Sequence, residues 1–270
     1  MDKGEIRKIL LQKSGKIAKL SSAVAKDFEP ETLHKFRVEV KRLRSFLRLL
    51  ATKGKQKEMR LPGKLKRLYD TAGIIRGLQL EQQKIKELKL QLPAYGMHLA
   101  SQMQHQKRAW KHHYSKSFTD KLDKNIKEAK LDKIPAAILL QFLCGHSKSI
   151  GLLCKGSPAD EDIHSIRKQL KDMLYNAKFV ELKWSAAYKR IANLPLKDLD
   201  ELSESLGSYN DKRVWLEHFE SYKPIDLSEQ ERAVIATFCG AERKLLQAKK
   251  KLLLRSVRRF VKAIGAVDAG

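Results

Sequence analysis

A chain of 270 residues with 42% hydrophobic content is long enough to bury a core as one large domain or two of ordinary size. Its 56 Lys plus Arg against 31 Asp plus Glu leave a net charge of +25, too large an imbalance to leave without an anionic partner: nucleic acid, an anionic membrane surface or a phosphate polymer. Three scattered cysteines, Cys144, Cys154 and Cys239, form no C-x-x-C pair and suit reduced thiols rather than a secreted disulfide scaffold.

Leu, Lys, Glu, Gln and Ala dominate, β-branched runs are few and no hairpin dipeptide separates alternating strands, so the chain is expected to be all-α. From the start, Met1 to Leu20 never gives an uninterrupted apolar run, because Lys and Arg break it every few residues; no secretion signal is expected. Breaks follow at Glu29-Pro30, Leu61-Pro62-Gly63, Pro93, Ile134-Pro135, Gly156-Ser157-Pro158, Pro195, Gly207 and Pro224, predicting roughly eight to ten helices, the last a long one from about Ser228 to Lys262. The apolar stretch from Ile134 to Leu143 is about half of what a bilayer needs. The location expected is cytoplasmic.

The informative feature is an internal repeat. Leu33 to Leu50 superposes on Ile163 to Val180 at an offset of 130 residues, nearly half the chain. Leu33, Phe36, Val40, Leu43 and Leu47 match Ile163, Ile166, Leu170, Met173 and Ala177, while His34, Arg37, Lys41 and Arg48 match His164, Arg167, Lys171 and Lys178; Arg44 meets Leu174, the one mismatch. A weaker correspondence pairs Ala72 to Leu80 with Leu206 to Val214. Two similarly built halves are predicted, 1–135 and 136–270.

Residues three and four apart share a helix face, so 33, 36, 40, 43, 47 and 50 make an apolar stripe. Residues 34, 37, 41, 44 and 48 repeat that spacing one position later, a rotation of about 100°, which puts the His/Arg/Lys stripe beside the core seam, able to line a groove. Its like-charge neighbours disfavour the helix by roughly 1 kcal/mol in total, a cost that a bound anion would reverse. A single cationic run would be read as a solvated face; the repetition of His-x-x-Arg-x-x-x-Lys on the same flank of both stripes favours binding. Each histidine suits either a helix-bridging role or a ligand contact.

These residues resemble the CHAD domain family, named for histidines in an α-helical domain. His34, Arg37, Val38, Lys41, Arg42 and Arg44 follow its first motif, and His164, Arg167, Lys168, Lys171 and Tyr175 are similar to its second, with Leu174 where a basic residue is usual. Leu206, Gly207 and Asp211 resemble its L-G-x-x-x-D element; Arg76 fits its Arg-Asp pair, with Gly77 in place of the acid. The resemblance implies two pseudo-symmetric four-helix bundles whose basic faces converge on a central channel. It also implies non-catalytic binding of inorganic polyphosphate in the cytoplasm, where polyphosphate granules are the associated assembly. Some members carry a CYTH-type triphosphatase domain with an E-x-E-x-K signature; Val38 to Lys41 reads VEVK, so a standalone binding module is expected.

His98, His105 and His112 recur every seven residues, about 10.5 Å apart along a helix, too far for two imidazoles on one metal ion. No P-loop, G-x-G-x-x-G, G-x-S-x-G or H-E-x-x-H occurs, and no cofactor, metal or catalytic residue is expected. Asp70 and Asp211 are the acids that a phosphotransferase would use to hold Mg²⁺. In Arg243 to Lys262, Leu246, Leu253, Val257 and Phe260 fit burial, so a membrane-surface role is disfavoured. Few aromatic residues and no RNA-recognition or zinc-finger signature leave backbone binding to nucleic acid as the alternative function.

Overall fold

The computed structural model describes residues 1–52, 60–115, 117–181, 196–221 and 228–267, with backbone alone at 178–181 and 264–267. Every regular element among them is a helix: α1 (Lys3–Asp27), α2 (Pro30–Ala51), α3 (Gly63–Glu87), α4 (Pro93–His113), α5 (Ser117–Glu128), α6 (Ala136–Leu153), α7 (Asp160–Glu181), α8 (Leu196–Ser221) and α9 (Glu229–Val267). The all-α expectation holds.

The breaks follow local chemistry. Pro30 and Pro93 occupy the first turns of α2 and α4, where a missing N–H costs nothing, and Pro62 and Pro135 precede α3 and α6. The Glu29 carboxylate accepts the backbone N–H groups of Glu31 and Thr32 at the start of α2. Phe28 ends α1 at φ 58°, a strained conformation for a bulky residue. Its ring is buried edge-on to Trp110 at 6.2 Å, and its carbonyl accepts from Gln79 Nε2 at 2.8 Å, which holds the strain in place. Gly156, at φ 66°, supplies the left-handed turn after α6. Pro195 and Pro224 lie outside the described residues.

Gly207 corrects the sequence reading. It lies inside α8 and breaks nothing; it is buried, and the Arg167 guanidinium occupies the space that a side chain there would need. A helix accepts an interior glycine at a cost of about 1 kcal/mol, and here the exchange is room for a cation.

The chain falls into two compact units, one of Met1–Ile134 with Pro224–Val234 and one of Pro135–Lys223 with Ile235–Gly270. In the first, α2 packs between α1 and α3, α3 also packs on α4, and α1 on α5. Leu33, Phe36, Val40, Leu43, Leu47 and Leu50 of α2 are all buried, as the stripe requires, and Trp110 stands edge-on to Phe36 at 5.2 Å. Each such side chain contributes about 1.5–3 kcal/mol through removal from water. In the second unit α7 packs on α6 and α8, with Ile163, Ile166, Leu170, Met173 and Ala177 buried. The α9 helix joins that unit through Phe238 against Trp215 and through ion pairs of Lys250 with Asp160 and Lys212 with Glu242. The three cysteines are free thiols.

Candidate functional site

In the first unit the cationic stripe of α2 faces α3. Arg37 donates from Nη1 to the Tyr69 carbonyl at 2.9 Å, and its guanidinium carbon lies 4.8 Å from the centre of the Tyr69 ring. The side chain runs so close over Gly73 that a methyl group there would collide with Nη1. The guanidinium carbon of Arg44, two turns on, lies 5.6 Å from the centre of the same ring, and the residue stays exposed. Tyr69 was not singled out in the sequence, where a tyrosine in an amphipathic helix reads as packing; it props two motif arginines at once.

His34 opens the stripe. Partial desolvation, then the positive charges of Arg76, Lys41 and Arg37 acting against Glu31, hold its imidazole below the ordinary histidine range. This places Arg76 of α3 within electrostatic reach of the motif histidine. Arg76 and Arg44 have no carboxylate partner among the described residues.

Arg42 departs from the rest. It pairs with Glu39 at 2.6 Å, and Lys16 of α1 reaches the same carboxylate oxygen at 3.0 Å. Burial would raise the Glu39 carboxyl, but hydrogen bonds and charge from Lys16 and Arg42 hold it below the usual range. Burial, with the charges of Arg42 and Lys16 added and Glu39 opposing, lowers Lys13. Lys13 and Lys16 extend the cationic group onto α1, which no α2 motif could have signalled. Lys41 and Arg48 are half-buried on α2 with partners of their own.

The second unit repeats the seat and changes the occupants. Arg167 lies over Gly207, its Nε and Nη2 each 3.3 Å from where a methyl group would sit, as Arg37 lies over Gly73. The Arg167 Nε is buried with no hydrogen-bond partner among the described residues. The His164 Nδ1 meets the Asn210 side-chain oxygen at 3.1 Å, which makes Nδ1 the protonated nitrogen of the neutral ring and leaves Nε2 as an acceptor. Desolvation and the charges of Lys168, Arg167 and Arg213 outweigh the Asn210 hydrogen bond and lower the His164 pKa. Asn210 stands in α8 where the weaker repeat aligns it with Arg76 of α3, so both histidines address the same position of the next helix.

Lys168 is exposed without an ion pair among the described residues, and Tyr175 is half-buried. Lys171, by contrast, is held by Glu204 at 2.6 Å and lies 3.9 Å from Asp200, with 17% of its side chain exposed. Leu174, opposite Arg44 in the repeat, is a core residue at 2% exposure. The Lys178 side chain lies outside the described residues. The mismatch that the sequence alignment showed is therefore a change of direction: one helix turns that position to solvent, the other to its core.

No group of three or more metal-ligating side chains occurs among the described residues. Asp70 and Asp211 are both exposed, His98 stacks on Tyr95 at 6.4 Å, His105 is exposed, and His112 meets His113 edge-on at 5.3 Å.

Helices that each carry a His-x-x-Arg turn, with the arginine laid over a glycine of the next helix, define an all-α protein with duplicated cationic helix faces. The CHAD domain family model matches residues 8–220, and the chain belongs to that family, which has general ties to polyphosphate. The crystal structure of the CHAD domain from the plant Ricinus communis has the same fold, with a TM-score of 0.69 over 97% of this chain and 91% of that one at 19% identity. No curated protein matches the sequence closely enough to be a relative.

Proposed function

We propose that this protein binds inorganic polyphosphate without catalysis, through the motif cations of α2 and α3 in one unit and of α7 in the other. The supporting observation is the seating of Arg37 and Arg167 over glycines beside a histidine, next to cations without carboxylate partners among the described residues: Arg44, Arg76 and Lys168. Arginines fixed by a carbonyl, a ring or a close backbone approach lose little side-chain freedom when an anion arrives. Their guanidinium forks then meet phosphate oxygens in pairs, while lysines add point charges. The neutral histidines can take up protons beside the bound anion. Affinity comes largely from counterion release, as in nucleic-acid binding.

Adding a long polyphosphate to the protein bound to duplex or structured RNA, at equal phosphate concentration, tests the choice of ligand. Displacement of the RNA is expected; an RNA that stays bound would reverse the assignment in favour of a nucleic-acid backbone. Incubation with polyphosphate, Mg²⁺ and nucleotide is expected to leave chain length unchanged, and shortening or transfer would make the protein an enzyme.

A further inference from the structure

From Arg243 to Val267, α9 contains no acidic residue. Some of its cations are engaged inside the unit. Arg243 pairs with Glu220, Lys250 with Asp160, and Lys249 donates to the Ser208 hydroxyl at 3.1 Å. Arg258 donates to the carbonyls of Cys154 and Gly156, at 2.9 Å each, beyond the end of α6. Lys244, Lys251, Arg255, Arg259 and Lys262 are different: all five are exposed and none has an ion pair or hydrogen bond among the described residues.

Their spacing makes them a row. At about 100° per residue the five fall within an arc of roughly 80°, and at about 1.5 Å per residue Lys244 and Lys262 are about 27 Å apart. Leu245 and Leu252 lie along one edge of the row, each 61% exposed, while Leu246, Leu253, Val257 and Phe260 are buried against the unit. The inward leucines account for the amphipathic pattern in the sequence; the outward pair is left over. Lys251, Arg255 and Arg259 are i, i+4 neighbours of like charge, which the helix tolerates at a cost.

We propose that this ridge docks the protein on an anionic lipid bilayer. The row along one exposed helix face presents all five charges to the same side at once. Charge alone would suit a bilayer or a phosphate polymer. The leucines decide between them, because only a bilayer offers an acyl boundary into which they can sink below the headgroups that meet the lysines and arginines. No motif residue of α2 or α7 belongs to the ridge, so the two activities can be separated by substitution.

Co-sedimentation of the full chain with vesicles tests this, phosphatidylserine mixed with phosphatidylcholine against phosphatidylcholine alone. The native protein is expected to pellet with the anionic vesicles in dilute buffer and to stay in solution with the neutral ones. Substituting Lys251, Arg255 and Arg259 by Gln should lower partitioning about 100-fold. The pair Leu245→Gln and Leu252→Gln should lower it about tenfold while leaving polyphosphate affinity unchanged. All five positions are exposed, and circular dichroism at native helicity qualifies each variant; single substitutions at Arg255 or Leu252 serve if a combined variant loses helicity. Failure of the native protein to prefer anionic vesicles overturns the proposal. So does undiminished vesicle binding by the leucine variant, or loss of polyphosphate rather than vesicle binding by the charge variant, which would assign the ridge to the polymer.

Discussion

The two motif helices share a scaffold and differ in how much of their charge is already satisfied. α2 turns Arg44 outward onto Tyr69 and has Arg76 across from His34. α7 has Leu174 in the core at the first of these positions, Asn210 of α8 stands across from His164 at the second, and Lys171 is closed by Glu204 and Asp200. What repeats is the part that needs geometry, an arginine over a glycine; what diverges is the part that needs only charge. On the proposed function, the two units would then hold anion sites of unequal strength, with the first unit the stronger.

The largest effect should come from removing the unpaired cations of the first unit. Arg44→Gln with Arg76→Gln is expected to weaken polyphosphate binding about 100-fold, at about 1.5 kcal/mol for each charge-assisted contact. Lys171→Gln should change it less than about threefold, because the carboxylates beside it already cancel the charge. Equal losses at both places, read by isothermal titration, would erase the difference between the units.

Next in size is the seat itself. Gly73→Ala should drive Arg37 off the Tyr69 carbonyl and weaken binding about tenfold. An interior Gly→Ala change favours a helix by about 1 kcal/mol, so thermal stability should hold while affinity falls, a split that general damage to the fold would not produce. At Gly207 the approach is looser, 3.3 Å, and Gly207→Ala should weaken binding less.

The histidines give a smaller effect and a defined sign. Both imidazoles are held below the ordinary histidine value of about 6.5 in the free protein, chiefly by burial. Bound phosphate favours the protonated ring, so polyphosphate affinity should rise a few-fold as pH falls from about 7 to about 5. Stability of the free protein runs the other way. Below 6.5 the unfolded chain takes up more protons at these positions than the folded one, so stability declines as pH falls through that value. His164→Gln keeps a hydrogen-bonding side chain opposite Asn210 and should flatten part of the affinity profile. Smallest is the reverse substitution: Glu204→Gln with Asp200→Asn frees Lys171 and should raise affinity about threefold.

Much of the fold was legible in the sequence because helical periodicity is a local signal. Every residue of the stripe from Leu33 to Leu50 and of its repeat from Ile163 is buried, though Phe46, Leu49 and Leu174 join them from outside it, and the prolines at 30, 62, 93 and 135 marked true helix starts. Gly207 misled because a glycine chosen for interhelical room looks like one chosen for a turn; only the Arg167 side chain laid over it tells them apart. The site was legible as a list of cations and not as a set of partners. Nothing near Lys171 in sequence announces Glu204, 33 residues on, and nothing near Arg42 announces Lys16. Pairing across helices is a tertiary property, and it separates cations that an incoming anion can use from cations already spent on the fold.

Polyphosphate affinity measured across a range of salt, for the native protein beside the Arg44→Gln, Arg76→Gln variant, tests the central claim most directly. Counterion release predicts a steep linear fall of log affinity with log salt, and a shallower slope for the variant by roughly two lost charges. Affinity that stays level from dilute to physiological salt, or the same slope for both proteins, would contradict it.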